Sequence, residues 1–556
     1  MTPDELVGKL FDVVVRFHPM DELVFGLAEC DDRLPDLSKE AQAEEVSILR
    51  ELANEVALVD ESGADEIERQ SIDLVRSSAA VKAEAAAVPL VEFSVSDFQG
   101  SPVAWVLAML PKAPLVTRAH ADAYLARLEA LPAFLETAES RHRDGVVAGR
   151  LPVRRLVQAA IDQLDVFLSD HDVGGLRRPA EHDASFATRV GAVLDDKVRP
   201  ALARYRQVLA SELLDAGRDD EHCGLSWLPA GEEMYAALAR LYTSVERTPE
   251  ELHRTGLELA EQINEEYREL GGRVWGTTDL PAILERLRSD PELRYEDGDE
   301  ILADARAALA RAEEAVPRWF GTVPDTPCLV ARMPVGEEVA PSALPAYYMP
   351  PALDRSLRGT YFVNTSRASE RSRADTEPVA FHEAVPGHHF QLAIMQERSP
   401  SLARRVLVDT ACVEGWALYA ERLADEMGLY RDDLGRLGML TADMWRAGRL
   451  VVDTGIHLMS WTRQRAVDWY CANVPLPRVT VEAEVNRYIV YPGQALAFMV
   501  GRLELVRLRR EAAGRLASRF DLSAFHDVVL GAGPLPLAAM AGVVDRWTAR
   551  LGAPRA

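Results

Sequence analysis

Three of the twelve histidines fall inside one short run, His382-Glu383-Ala384-Val385-Pro386-Gly387-His388-His389. Two neutral imidazoles and a carboxylate at short range are what a hydrolytic zinc site requires. The imidazoles hold the metal, and the carboxylate beside them, Glu383, takes a proton from the attacking water. The spacing is not the common one. In HExxH the two histidines lie four residues apart, on one face of an unbroken helix. Here His388 follows His382 by six residues, about 240° round an ideal helix and on the wrong face. Pro386 removes a helical hydrogen bond, and Gly387 permits unusual backbone angles. A bulge at this point would return His388 to the face of His382. His389 already shares that face, but it lies roughly 10 Å along an unbroken axis, too far to share one ion. The expected pair is His382 and His388, with His389 behind them.

A catalytic zinc takes a third protein ligand and keeps one position open. The candidate is Glu414, in Val413-Glu414-Gly415-Trp416-Ala417-Leu418-Tyr419-Ala420-Glu421. That run reads as a helix, with Trp416, Ala417, Ala420 and Leu423 on an apolar face and Glu414 and Glu421 two turns apart on another. Glutamates on helices are usually solvated. A glutamate on the next helix after a His-Glu helix, however, completes the site in one large class of zinc peptidases. Further along, Arg446, Arg449, Asp453 and His457 are spaced by three, four and four residues, so they share a helical face within an apolar segment. The tetrahedral intermediate of acyl transfer needs an oxyanion donor. His457 is the expected donor, with Tyr491 and Tyr488 behind it. Arg449 or Arg487 is expected to hold a substrate carboxylate. Asn364, at the end of a short strand that precedes His382 by one loop, is expected to help align a substrate along a sheet edge.

The run His382–His389 followed by Glu414–Glu421 resembles the bacterial domain-of-unknown-function 885 family, metallohydrolases related to helical zinc carboxypeptidases and dipeptidases. The resemblance continues in Ala346-Tyr347-Tyr348-Met349-Pro350-Pro351, Tyr361-Phe362-Val363-Asn364-Thr365, Val452-Asp453-Thr454-Gly455-Ile456-His457 and Arg487-Tyr488-Ile489-Val490-Tyr491-Pro492-Gly493-Gln494. With Thr248-Pro249-Glu250-Glu251-Leu252-His253 it extends from about residue 224 to about residue 510. One departure is Met499, where lysine is often expected after the aromatic. The resemblance implies a zinc hydrolase and leaves its substrate undefined.

The 556-residue chain is 48% hydrophobic and 27% charged, so it can bury a large core. Its formal charge of −26 argues against nucleic-acid binding. Five scattered cysteines without a CxxC pair argue against a disulfide framework or a structural zinc site and fit a reducing cytosol. The first residues lack a basic region and a long apolar run, so no membrane association and a cytoplasmic location are expected.

Helical periodicity dominates, over residues 38–90, 116–145, 190–216, 232–270, 299–316, 377–396, 413–427, 434–473 and 480–515. Thr248-Pro249-Glu250-Glu251 is a capping box with proline at the first helical position. Cys328–Ala331 and Thr360–Asn364 read as short strands separated by Pro/Tyr-rich loops. The charged loop 366–373 reads as mobile. The expected fold is mainly α: a large two-lobed helical body with a deep cleft and a small β-sheet beside the metal-binding helix. An amino-terminal lobe of residues 1–270 and a catalytic lobe of residues 271–556 would form one continuous unit. The expected function is zinc-dependent hydrolysis of a small peptide or amide substrate. The alternatives are a specialised biosynthetic amide or non-peptide hydrolase, and a non-catalytic helical ligand-binding protein that retains a metal site.

Overall fold

The capping box at Thr248 starts a helix as its chemistry requires. The Thr248 hydroxyl accepts the Glu251 N–H at 3.3 Å, and the Glu251 carboxylate accepts the Thr248 N–H at 2.9 Å. The helix then runs from Pro249 to Trp275 and stops at Gly276, whose φ of 68° suits glycine. Its buried stripe includes Leu252, Gly256, Ala260, Ile263, Tyr267 and Leu270, at three-to-four spacing. That stripe packs along the helix Asp433–His457. Gly256 permits the close approach: a Cβ there would lie 2.8 Å from side-chain atoms of both Leu450 and Val451. Two polar contacts set the register, His253 Nδ1 with the Thr454 hydroxyl at 2.8 Å and the Tyr267 hydroxyl with that of Thr441 at 3.1 Å.

The computed structural model describes residues 2–20, 32–115, 117–177, 184–334, 345–351 and 358–552. Helix accounts for 71% of it, so the fold is mainly α as expected. The expected division at 270/271 falls inside the unbroken Pro249–Trp275 helix. The cores divide elsewhere. One hydrophobic core joins residues from Leu6 to Trp547. A second is formed by Met20 with residues from Val95 to Leu213.

Several long periodic stretches prove to be pairs of helices. Residues 38–90 hold Lys39–Ala57 and Glu66–Ala86, residues 434–473 hold Asp433–His457 and Arg463–Asn473, and residues 480–515 hold Arg478–Val490 and Ala497–Leu516. Periodicity alone does not report a break that leaves both halves with an apolar face. No single helix among the described residues is long and apolar enough to cross a membrane, and one pair, Arg478–Val490 with Gln494–Arg519, passes only together and is bent by 117°.

Three short strands form a mixed sheet: β1 (Leu329–Arg332), β2 (Ala346–Met349) and β3 (Thr360–Val363), in the order β1-β3-β2. β1 runs parallel to β3, with Leu329 opposite Thr360. β2 runs antiparallel, with Ala346 opposite Val363. β2 lies in a stretch read from the sequence as loop, because its prolines mask a strand of only four residues. The sheet stands between the helix Gly298–Ala315 and the helix Thr376–Glu383. The charged loop 366–373 is tied down at its far end. Arg373 donates to the carbonyls of Leu293 and Arg294 and to Glu300, and stacks over Tyr295.

Candidate metal centre

The His-Glu helix ends at Glu383. Ala384 leaves helical geometry at φ −105° and ψ −104°, and Val385 precedes a proline, which disfavours the α conformation. A new helix, His388–Arg398, begins four residues later. The expected bulge inside one helix is therefore a complete break between two. Gly387 makes the turn possible, since a Cβ there would lie 1.9 Å from the His382 carbonyl oxygen. Trp416 Nε1 donates to the Pro386 carbonyl at 2.8 Å and pins the turn from the helix Thr410–Glu426.

This break solves the spacing problem. It brings one donor atom each from His382, His388 and Glu414 within 4.8 Å of one another. Glu414 Oε2 lies 3.7 Å from His382 Nε2 and 3.4 Å from His388 Nε2. The two rings stand edge to face, with centroids 4.7 Å apart. Side-chain exposure rises across the trio, from 5% at His382 through 11% at His388 to 22% at Glu414, so the open side lies toward His388 and Glu414. The Thr410–Glu426 helix is held by its own close contact: Gly415 packs against Gly501 of the helix Ala497–Leu516, where a Cβ would lie 2.4 Å from backbone.

His382 is oriented from behind. Its Nδ1 lies 2.8 Å from Glu421 Oε1, and both side chains are buried. A carboxylate in this place fixes the ring's tautomer and leaves Nε2 free to face the trio. Burial opposes charge on His382. Hydrogen bonds to Glu414 and Glu421, together with the charge of Glu383, outweigh it and raise its pKa to about 9. Burial likewise opposes ionisation of Glu414, but His388 and His382 overcome it and hold the carboxyl far below the usual range. Glu383, whose carboxylate charge is felt at His382, is half-buried.

The donor set fits a divalent cation. Three carboxylates, Glu383, Glu414 and Glu421, surround two imidazoles, which leaves an anionic excess in a largely buried place. Among the described residues, His388 Nδ1 and Glu421 Oε2 are buried without hydrogen-bond partners. Two nitrogens and a carboxylate oxygen with an open side would leave a coordination position free on a cation held there.

His389 turns the other way. Nδ1 meets the Tyr348 hydroxyl at 2.9 Å and Nε2 meets the Thr326 carbonyl at 3.0 Å, so the ring ties the helix to the sheet. Burial lowers its pKa to about 4.

Several expected site residues are placed differently. His457 is fully buried, with both ring nitrogens engaged by backbone. Nδ1 accepts the Leu225 N–H at 3.2 Å, so Nε2 carries the proton and donates to the Tyr488 carbonyl at 2.9 Å. No N–H remains for an oxyanion. Asp453 does not pair with Arg449. It accepts from the Tyr235 hydroxyl at 2.5 Å and from the Gly493 N–H at 3.1 Å, which pins the turn after Tyr491. The Tyr491 ring packs edge-on against Tyr242, 5.4 Å between centroids. The Tyr488 hydroxyl is buried: it accepts from Arg449 Nε at 3.1 Å and donates to Glu484 at 2.6 Å. It positions Arg449 against Glu484. Arg487 bonds Glu484 at 3.4 Å and Gln494 at 2.6 Å. Asn364 Oδ1 accepts the Ser366 N–H at 3.0 Å and its hydroxyl at 2.8 Å, which closes the turn after β3. β3 is the central strand, so its backbone is spent on β1 and β2 and cannot align a peptide.

The roles of Glu421 behind His382 and of Trp416 at the Pro386 turn do not follow from the sequence. Both lie in the run that supplied Glu414. The seven-residue spacing of Glu414 and Glu421 was visible, but the partner that makes Glu421 useful, His382 Nδ1, is 39 residues away in the chain.

The chain belongs to the family described as bacterial protein of unknown function, DUF885, whose pattern matches residues 19–544. A presumed lipoprotein from Colwellia psychrerythraea has the same architecture: it is 25% identical, with a TM-score of 0.89 over 99% of this chain and 100% of that one. A presumed lipoprotein of unknown function from Shewanella oneidensis is 18% identical, with a TM-score of 0.77 over 98% of this chain and 99% of that one. No curated protein matches the chain.

Proposed function

We propose that this DUF885 protein is a zinc-dependent hydrolase that cleaves a peptide or related amide bond. The observation that supports it is the convergence of His382, His388 and Glu414 within 4.8 Å, with Glu383, outside that set, next to His382 in the chain and its charge acting on that ring. A zinc ion held by these three residues would polarise a carbonyl and lower the pKa of water to about 7. Glu383 would accept the proton from the attacking water and deliver it to the leaving amine. Glu421 would keep His382 in the tautomer that presents Nε2. The oxyanion donor must be a group other than His457, and Tyr491 keeps its candidacy.

A purely structural metal site has no use for Glu383, which weighs against a non-catalytic binding protein. The test joins metal analysis to a broad peptide and amide hydrolysis screen of the full chain. Glu383→Gln is expected to keep stoichiometric zinc and to lose about 10²–10⁴-fold in rate, the usual scale for a lost general base. A variant that loses zinc together with activity would make Glu383 a ligand. Absence of turnover in a zinc-loaded wild type would overturn the hydrolase reading. The cytoplasmic placement is also a proposal. Cys223, Cys328, Cys412 and Cys471 are free, which supports it, whereas the two solved relatives are presumed lipoproteins. Fractionation of cells that express the full chain decides between cytosol and envelope.

A further inference from the structure

A buried guanidinium, that of Arg449, and a half-buried one, that of Arg487, share the carboxylate of Glu484. Arg449 is 3% exposed. Its Nε donates to Tyr488 and its Nη2 to Glu484 at 3.1 Å, while Nη1 is buried without an acceptor. Arg487 donates to Glu484 and Gln494 through Nη1 and Nη2, while its Nε is buried without an acceptor. The Arg449 guanidinium stacks on Phe498 at 4.3 Å and on Trp445 at 5.0 Å, so its plane is held on aromatic faces. Burial opposes ionisation of Glu484, but Arg487 and Arg449 outweigh it and hold its pKa at about 2. Asp453, the other acid that feels both arginines, takes its hydrogen bonds from Tyr235 and Gly493 instead. Burial also pushes Asp453 up to about 7, which reduces its value as a counter-charge.

The balance among the described residues is one surplus positive charge and two buried N–H donors without an acceptor. Buried donors of a charged group are costly to leave unpaired. Phe498 stands one turn before Gly501, the residue whose backbone packs on Ala411 and Gly415 next to Glu414. The helix that carries Arg449 also packs along Thr376–Glu383, the helix that carries His382.

We propose that Arg449 and Arg487 receive a free carboxylate of the substrate. The proposal deepens the hydrolase reading and rests on it for the word substrate: it restricts the class to peptides or N-acyl amino acids that carry an ionised carboxyl group. Two donors, one from each arginine, suit the two oxygens of a carboxylate. One surplus charge suits a monoanion, whereas a phosphate dianion would leave the site with a net negative charge. Tyr488 is a positioning residue here, because its hydroxyl joins Arg449 to Glu484.

The test is a binding measurement, by calorimetry on the full chain as purified, with N-acetylphenylalanine and N-acetylphenylalanine amide as probes. The free acid is expected to bind roughly 10-fold or more tightly than the amide, the scale of a charge-assisted hydrogen bond. Arg449→Gln and Arg487→Gln should each abolish that preference. Arg487→Gln removes the more exposed member and guards against misfolding of the Arg449 variant, with a melting curve run on each. His388→Ala separates the two ideas: the preference should persist when the metal trio is broken. Equal binding of acid and amide, no binding of either, preference unchanged in both arginine variants, loss of preference in His388→Ala, or tighter competition by inorganic phosphate than by the acid would each overturn the subsite. A retained preference without any amide turnover would overturn the hydrolase reading and leave the carboxylate site standing.

Discussion

Glu421 touches no ion, yet metal affinity should depend on it. Its Oε1 lies 2.8 Å from His382 Nδ1, and the two side chains are 1% and 5% exposed. A hydrogen bond to a charged group contributes about 1.5–3 kcal/mol and a neutral one about 0.5–1.5 kcal/mol. Glu421→Gln keeps an acceptor oxygen in place and removes the charge, so it should cost about 1–1.5 kcal/mol, or roughly tenfold in zinc affinity. Glu421→Ala removes the acceptor too and should cost closer to 100-fold, at the upper end for an outer partner of a metal ligand. Competition against a chelator of known affinity, on the full chain, reads both values. Stability should move the same way. Without metal the raised pKa of His382 keeps the ring cationic near pH 7, and the Glu421 carboxylate is one of the groups that hold that charge, so a neutral glutamine weakens the pair. In chelator the Glu421→Gln protein should melt lower than wild type. Zinc affinities within threefold of wild type for both variants would refute the orienting role, and wild-type affinity in Glu421→Gln beside a large loss in Glu421→Ala would refute the argument from charge.

His388→Ala should lose far more zinc than His389→Ala, because His389 Nε2 is committed to the Thr326 carbonyl and Nδ1 to Tyr348. Zinc titration of both variants checks it, and a larger loss for His389 would contradict the geometry. His457→Gln should leave zinc content and kcat near wild type and lower stability by about 1–3 kcal/mol for each buried backbone group left unpaired. Urea unfolding with kinetics on the same preparation tests this, and a large loss of kcat with an unchanged unfolding midpoint would return His457 to the catalytic list. The same variant carries a pH signature. Burial holds folded His457 at about 4, below its ordinary 6.5, and Arg218 is the charged group that acts on it. The unfolded state therefore binds a proton first, so this histidine's contribution is complete above pH 6.5 and is lost as pH falls toward 4. The stability gap between wild type and His457→Gln should shrink from pH 7 to pH 5 by up to about 1.4 kcal/mol per unit, and a gap that stays constant would refute the buried neutral assignment.

Local pattern reaches some of this molecule and not the rest, for physical reasons. The residue types in the run from His382 to His388 and in Glu414 define a donor set whatever the fold, and the capping box at Thr248 acts within four residues, so both were legible in the chain. Pro386 and Gly387 announced a departure from helix. Whether it would be a bulge or a break depended on Trp416 and on how closely Gly387 approaches the His382 carbonyl, which are contacts across the fold. β2 was hidden because four residues beside prolines carry too little pattern. The role of β3 was misjudged because edge and centre are properties of the sheet order. The stripe from Arg446 to His457 shows the same limit. Its shared face follows from helical spacing alone, but spacing is silent on partners. Tyr235, Leu225, Glu484 and Gly493 arrive from elsewhere in the chain, convert an expected catalytic histidine into a backbone clasp and divide the stripe between two separate networks. Sequence determines which groups are available to do chemistry, whereas their orientation and their remaining free donors are decided by the neighbours that tertiary packing brings.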